Sequence, residues 1–242
     1  WLPEEQLLFS CDAFGAHFCA DGLFDDEVPD FTGDFHGYFD AIMRPFKEQV
    51  REAVAKVEGL DIRMICPSHG PLRRRDPQQV ISDYRMLAAA PPETGRKRAL
   101  LLILSPHGNT RSMAAEVRKG LESRGIEVVE KCMYAAPAAE IRDELERADA
   151  LVVATPTINR DAPPPVWQAL SLISTVTPKG RLAAVLGSYG WSGEAVKLVE
   201  ERLLGLKYRL AAPGLHYRFT PTAADMAACR ERGVQLAEAL LG

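Results

Sequence analysis

The second half of the sequence alternates short apolar runs with amphipathic helical segments, and this alternation constrains the fold more than any other feature. Residues 99–104 form a continuous apolar run, as expected for a strand of a parallel sheet covered on both faces. Residues 109–123 follow as a helix, with Met113, Val117 and Leu121 on one stripe. The pattern repeats to give five strands and five helices, which predicts a doubly wound five-stranded parallel α/β sheet. The other predicted strands are 126–132, 150–154, 182–186 and 207–212, and the other predicted helices are 137–147, 165–174, 193–204 and 223–241.

The first half carries a weaker version of this pattern. Segments 6–11 and 61–66 are predicted as strands, 37–58 as one long helix and 77–89 as a shorter helix. Two strands bury too little surface on their own, so the apolar face of the long helix is expected to need a partner. A seam rich in alanine, proline and glycine separates the halves. The predicted organisation is a first domain at 1–90, a linker at 91–96 and a second domain at 97–242.

A glycine-containing loop joins the first strand of the second half to its helix. A helix N-terminus offers unpaired backbone N–H groups and the positive end of the helix dipole, and Gly108 lets the backbone turn closely around an anion. The loop therefore predicts a phosphate site, although a plain helix start capped by Asn109 explains it equally well. Neither the dinucleotide nor the triphosphate glycine pattern is present. The candidate phosphate-binding residues are Ser105, His107, Gly108, Asn109 and Thr110.

Two further polar loops follow the third and fourth predicted strands of this half. Ligands of doubly wound sheets bind at the carboxyl ends of strands, near the switch in strand order, which is where these loops lie. Tyr189 and Trp191 are expected to pack against a flavin ring, with edge packing as the alternative, whereas Trp167 lies in a helix and is assigned to the core. Together the three loops predict a site for FMN. The candidate residues of these two loops are Thr155, Pro156, Thr157, Ile158, Asn159, Ser188, Tyr189, Gly190, Trp191 and Gly193.

Composition and charge argue against several classes of function. The chain has 242 residues and a formal net charge of -4, which argues against nucleic acid as the main partner. Its five cysteines include no Cys-x-x-Cys pair, so an iron–sulfur, zinc-ribbon or thioredoxin-like site is not expected. The odd cysteine count fits a reducing cytoplasm, and the longest apolar run is too short to span a membrane. We expect a cytoplasmic protein without a membrane partner.

Five motifs in order closely resemble those of flavodiiron proteins, also called A-type flavoproteins. Ser-x-x-Gly-Asn-Thr, Thr-Pro-Thr-Ile-Asn and Ser-Tyr-Gly-Trp-Ser-Gly resemble the FMN loops of that family's flavodoxin-like domain. Residues 10–15 and 64–71 resemble the last two ligand segments of its metallo-β-lactamase-like domain. The resemblance covers the whole chain and implies a flavodoxin-like sheet preceded by a partial metallo-β-lactamase-like αββα segment. Arg160 departs from the pattern, since many members carry a second Asn there.

The resemblance also implies a di-iron centre, to which this chain contributes two catalytic ligands. Asp12 would be the bridging carboxylate and His69 a terminal imidazole. From the residues alone, an Asp that caps a turn and a His packed in a loop explain these positions; His17 and His36 are assigned to surface or loop roles. The family's remaining ligands, a His-x-Glu-x-Asp segment and a further His, have no counterpart in this sequence. We therefore expect the C-terminal part of a longer protein, as the Trp1 start also favours; an upstream half on another polypeptide and a metal-free form are the alternatives.

An oxidoreductase is the function that the resemblance implies. FMN would pass electrons to a di-iron site that reduces O2 to water or NO to N2O. A head-to-tail homodimer and an electron donor in trans, such as rubredoxin or a flavin reductase, are implied as partners. Two other functions remain open: an FMN electron carrier with an incomplete, non-catalytic metal site, and a zinc hydrolase fused to a flavodoxin. Hydrolysis has no use for electrons, which disfavours the zinc hydrolase.

Overall fold

Two units make up the computed structural model, Trp1–Pro92 and Glu93–Gly242. The structure describes residues 1–90, 95–174 and 180–242. Residues 91–94 of the predicted linker therefore lie outside the described residues. No helix within the described ranges is both long enough and apolar enough to cross a membrane.

The first unit is built on a two-stranded parallel sheet. Strand β1 (Leu7–Cys11) pairs with β2 (Met64–Pro67), with Leu8 opposite Ile65. Aromatic and aliphatic side chains pack on this sheet, and Tyr84 lies fully buried among them. Three α-helices supply much of this core: α1 (Thr32–Tyr38), α2 (Lys47–Val57) and α3 (Pro77–Leu87).

The single long helix predicted at 37–58 is wrong, because the structure breaks it into pieces. After α1, a π-helical turn covers Phe39–Met43 and a 3-10 turn covers Arg44–Phe46 before α2 begins. Pro45 explains the break, since proline lacks a backbone N–H and its ring collides with the carbonyl group one turn earlier. The apolar periodicity continues through this proline, which is why the pattern alone predicted one helix.

The apolar stripe of this segment is largely covered within the unit. Tyr38, Val50 and Val54 are buried, whereas Ile42 and Phe46 are 37% and 44% exposed. The expectation that the whole stripe needs an outside partner is therefore wrong for its buried members, because the helix break turns the two halves of the stripe separately toward the core.

Among the described residues of the second unit, six parallel strands form one sheet. They are β3 (Arg98–Ile103), β4 (Glu127–Cys132), β5 (Ala150–Pro156), β6 (Leu182–Tyr189), β7 (Arg209–Leu210) and β8 (Leu215–Arg218). The order is β4-β3-β5-β6-β7, and β8 also pairs with β6. Because β7 pairs with the start of β6 and β8 with its end, they form one interrupted strand at the fifth position. The doubly wound, flavodoxin-like fold is confirmed, but the strand predicted at 207–212 covers only the first of these two segments.

Five helices within residues 95–174 and 180–242 cover both faces of this sheet. They are α4 (Asn109–Glu122), α5 (Ala138–Arg147), α6 (Pro164–Ser171), α7 (Glu194–Gly205) and α8 (Ala223–Leu241). Side chains of a strand alternate between faces, so Leu100 and Leu102 of β3 pack with α5, α6 and α7, while Leu101 and Ile103 pack with α4 and α8. The sheet is thus buried on both faces, and its loops at the carboxyl edge are left to form a site.

Candidate functional site

Three loops meet around a cavity at the carboxyl edge of the sheet in the second unit. They follow β3, β5 and β6, which lie on either side of the switch in strand order. The cavity has a volume of about 440 Å³, within the range of small-molecule sites. It is lined by Ser105, Pro106, His107, Asn109, Thr110, Pro156, Thr157, Ile158, Asn159, Ser188, Tyr189, Gly190, Trp191 and Phe219. The sequence-predicted residues Gly108, Thr155 and Gly193 lie beside the cavity lining rather than in it.

The N-terminus of α4 opens onto this cavity. Its N-cap is Gly108, in the left-handed conformation with a φ of 89°, whereas Asn109 is the first residue of the helix. Gly108 has no side chain to cap this helix end, and Ser105 Oγ accepts the backbone N–H of Arg111, the third residue of the helix. A Cβ added at Gly108 would meet no atom within 4 Å, so the loop leaves open space beside the start of the helix. This end of the cavity fits a phosphate, which the helix dipole attracts.

Buried hydroxyl groups fix the floor between the loops. Thr110 is 1% exposed, and its Oγ1 lies 2.9 Å from Oγ of Ser188. The backbone N–H of Thr157 donates to the carbonyl oxygen of Ser188 at 3.0 Å. Ser105 accepts the backbone N–H of Arg111 at 3.0 Å, which ties the loop after β3 to the first turn of α4. The three loops therefore form one hydrogen-bonded unit.

Exposed apolar side chains form the opposite rim of the cavity. Trp191 is 94% exposed, Phe219 56% and Ile158 45%. The backbone N–H of Phe219 donates to the carbonyl oxygen of Tyr189 at 2.7 Å, and Arg218 Nε donates to the carbonyl oxygen of Gly190 at 2.9 Å. Large apolar side chains around an open cavity suit a flat aromatic ligand, and together with the phosphate end they fit a flavin mononucleotide.

Phe219 was missed by the sequence analysis, although a signal for it exists. It directly follows β8, so it lies at the same carboxyl edge as the other three loops. The prediction ended the fifth strand at 212, one segment too early. Resumption of the strand after Pro213 and Gly214, with Tyr217 and Phe219 at alternate positions, was the pattern that would have revealed it.

Asp12 and His69 come together at one edge of the sheet in the first unit. Because β1 and β2 are parallel, their carboxyl ends lie side by side, and Asp12 Oδ1 is 3.3 Å from His69 Nε2. The His69 and Asp12 side chains are 53% and 50% exposed. The carbonyl oxygen of His69 accepts the backbone N–H of Ala16 at 3.1 Å, and Gly70 takes a φ of 78° in the turn that follows.

Tyr38 and His17 also lie at this edge, where the sequence analysis gave them no site role. Burial raises the pKa of the Tyr38 phenol, and the charge of Asp12 and a hydrogen bond with its carboxylate act in the same direction. The ring of His17 is 4.6 Å from that of Tyr38 and 6.4 Å from that of His69, between centroids. An acid, two imidazoles and a phenol thus converge on one edge.

The predicted di-iron centre is not completed by the residues that the structure describes. Within 1–90, 95–174 and 180–242, no group of three His, Cys, Asp or Glu side chains comes close enough to hold a metal ion. Asp12 and His69 supply two donors, whereas iron sites in proteins need more ligands than that. The donor set present therefore does not fit a di-iron centre by itself.

The comparisons with known proteins agree over both units. The family model described as Flavodoxin matches residues 102–233. The type A flavoprotein fprA of Rhodobacter capsulatus is 41% identical over 246 residues, which cover 100% of this chain and 57% of that protein. Flavo-diiron protein FprA2 of Clostridium acetobutylicum is 32% identical, over 99% of this chain and 61% of that protein. The chain thus spans about three fifths of the length of these relatives.

Solved structures of related proteins resemble this chain as well. Rubredoxin oxygen:oxidoreductase from Desulfovibrio gigas aligns with a TM-score of 0.67 and 27% identity, over 100% of this chain and 61% of that chain. A flavodoxin from the domain Archaea aligns with a TM-score of 0.54 and 29% identity, over 60% of this chain and 99% of that chain. The first neighbour therefore spans both units, whereas the flavodoxin spans about three fifths of this chain.

Proposed function

We infer that FMN-dependent electron transfer is the function of this chain, because the chain belongs to the flavodoxin family and matches type A flavoproteins, the flavodiiron proteins, along its whole length. The observation that carries the proposal is the cavity of about 440 Å³, with a helix N-terminus that begins at a glycine on one side and exposed aromatic side chains on the other. A flavin bound there supplies exchange of one or two electrons.

Each loop then has a part in holding the cofactor. The N-terminus of α4 and Ser105 would bind the phosphate, since both offer hydrogen-bond donors beside the open space at Gly108. Tyr189, Trp191 and Phe219 would pack on the ring and exclude water from it. The residue-by-residue assignment is our proposal, and the comparisons support the FMN site as a whole.

The aromatic rim offers a direct test, because Trp191 contributes almost nothing to the core. Trp191→Ala is expected to weaken FMN binding about tenfold, the equivalent of one lost stacking contact, with an unchanged melting temperature. Tyr134→Ala is the matched control, since Tyr134 is also an exposed aromatic residue, 64% accessible, and lies outside the cavity lining. Binding is measured by quenching of FMN fluorescence. Equal affinities of the two variants would contradict the proposed ring contact.

For a protein of the full length of the relatives, we further propose that electrons pass from FMN to a di-iron centre that reduces O2 or NO. Asp12 and His69 would supply two of its ligands, and residues outside this chain would supply the rest. Their convergence at 3.3 Å supports this assignment. A head-to-tail homodimer in the cytoplasm and a donor in trans, such as rubredoxin or a flavin reductase, belong to the same proposal.

A second function is favoured by the incomplete donor set: an FMN electron carrier whose metal half-site is not catalytic. Metal analysis of the native protein separates the candidates. About two irons per chain supports the reductase, since its site holds two metal ions. Absence of metal from a flavin-loaded protein supports the carrier, and zinc supports the hydrolase. Sedimentation of the native protein as a monomer would contradict the head-to-tail dimer.

A further inference from the structure

The two loops that flank the cavity are joined at their tips by an ion pair. Arg160, in the loop after β5, donates from Nε to Oε1 of Glu194 at 3.1 Å. Glu194 is the first residue of α7, directly after the loop that follows β6. Closer to the sheet, the backbone N–H of Ala195 donates to Oγ1 of Thr157 at 3.3 Å. Two contacts therefore join the loops, the hydrogen bond between Ala195 and Thr157 and the ion pair between Arg160 and Glu194.

The backbone of Arg160 is held in a conformation that disfavours a side chain. Ile158 and Asp161 exchange two backbone hydrogen bonds of 3.0 Å, and Asn159 and Arg160 between them have φ values of 53° and 62°. This is the pattern of a type I′ turn, in which glycine is favoured at the second central position. An arginine there is strained by its Cβ. The turn alone therefore does not account for an arginine at this position.

Glu194 is suited to hold the arginine in place. A hydrogen bond from the Ser192 side chain lowers the pKa of Glu194, as do its own backbone N–H and the bond from Arg160. The Arg160 side chain is 82% exposed, whereas that of Glu194 is 31% exposed. Glu194 Oε2 is buried and has no hydrogen-bond partner within the part of the chain that the structure describes. The Glu194 carboxylate is thus the less exposed member of the pair, and the exposed Arg160 side chain reaches across to it.

We propose that Arg160 and Glu194 are positioning residues that clasp the two flavin loops and set the reduction potential of the bound cofactor. The proposal rests on the proposed function, since it requires FMN in the cavity. Arg160 directly follows the cavity residue Asn159, and Glu194 follows the cavity residue Trp191 by three positions, so both belong to the segments that line the cavity. The opposite charges of Arg160 and Glu194 largely cancel in their effect on a bound ligand. Removal of either leaves the other uncompensated, and a positive charge favours electron uptake by the ligand while a negative charge opposes it.

The test is whether the two single variants shift the midpoint potential of bound FMN in opposite directions. Arg160→Asn keeps a residue that tolerates the left-handed turn, and Glu194→Gln keeps the shape of the side chain. We expect Arg160→Asn to lower the midpoint potential of bound FMN, Glu194→Gln to raise it, and the double variant to return close to the wild-type value. Each single variant is also expected to weaken FMN binding about two- to fivefold, the effect of one exposed ion pair. The measurements are a spectroelectrochemical titration and quenching of FMN fluorescence.

A matched control is the exposed ion pair between Arg124 and Glu238, with a distance of 2.8 Å and exposures of 49% and 56%, outside the cavity lining. Arg124→Gln is expected to change neither the potential nor the affinity. Without FMN, Arg160→Asn should melt at or above the wild-type temperature, because the turn is relieved of strain. Shifts of the same sign in both single variants, or shifts no larger than the control's, would overturn the clasp. Failure of the wild type to bind FMN would instead overturn the proposed function, and the same titration reads it directly.

Discussion

Replacement of Gly193 by alanine tests whether the loop after β6 is shaped for a flat ligand. A Cβ at this position would lie 3.0 Å from ring atoms Cδ1 and Cε1 of Tyr189 and 3.3 Å from Nδ1 of His216. The φ of Gly193 is -116°, so alanine adds no backbone strain and the whole effect comes from crowding. The Tyr189 ring must therefore move by several tenths of an ångström, away from its place in the cavity lining.

The free-energy cost of the added methyl group is expected to be larger for FMN binding than for folding. Overpacking costs about 1–3 kcal/mol where no neighbour can yield, but Tyr189 is half-buried at the cavity and is free to swing outward. We therefore expect a loss of unfolding free energy below about 1 kcal/mol, which lowers the melting temperature by at most about 4 °C in a unit of this size. FMN binding loses the ring contact, worth about 1.4 kcal/mol, and the dissociation constant rises about tenfold.

Gly205→Ala is the matched control, because Gly205 ends the same helix, α7, and a Cβ there would meet no atom within 4 Å. It is expected to stabilise the fold by about 0.5–1 kcal/mol and to leave FMN affinity unchanged. Thermal melting without FMN and fluorescence titration with FMN measure the two effects separately. A Gly193→Ala variant that binds FMN as tightly as Gly205→Ala would refute the reasoning.

Two further predictions concern the second unit. Gly120→Ala would place a methyl group onto the carbonyl oxygen of Arg230, where the backbones of α4 and α8 are in contact. We therefore expect the free energy of chemical unfolding to fall by about 3 kcal/mol. A loss below about 1 kcal/mol would contradict this contact. Burial raises the pKa of the Cys229 thiol from 9.0 to about 11. Because the folded-state pKa exceeds the unfolded one, its stability contribution is complete below about pH 9 and declines toward about pH 11, and Cys229→Ala should abolish that decline in urea unfolding.

The second unit was predictable from sequence because its patterns are local and unbroken. Continuous apolar runs such as that of β3 and amphipathic stripes such as Met113, Val117 and Leu121 fix strands and helices without reference to distant residues. The doubly wound order then brings the loops after β3, β5 and β6 to one edge. Twelve of the fifteen residues proposed for the cofactor line the resulting cavity, and their roles stay a prediction.

The errors have physical causes that a pattern does not contain. Pro45 interrupts a helix whose apolar spacing continues unchanged, so the stripe predicted one helix where the structure has four pieces. The break between β7 and β8 likewise ended the predicted fifth strand too early, so Phe219 was not assigned to the site. The approach of Tyr38 to Asp12 and of His17 to Tyr38 depends on packing within the first unit, and no spacing in the sequence encodes it.

The most direct test of the central claim is the cofactor content of the native protein, measured by mass spectrometry of the released cofactor and by titration of the stripped protein with FMN. We predict one FMN per chain, reversible uptake at a single site, and weaker uptake by Trp191→Ala than by Tyr134→Ala. A colourless protein that releases no flavin and takes up no added FMN would contradict it.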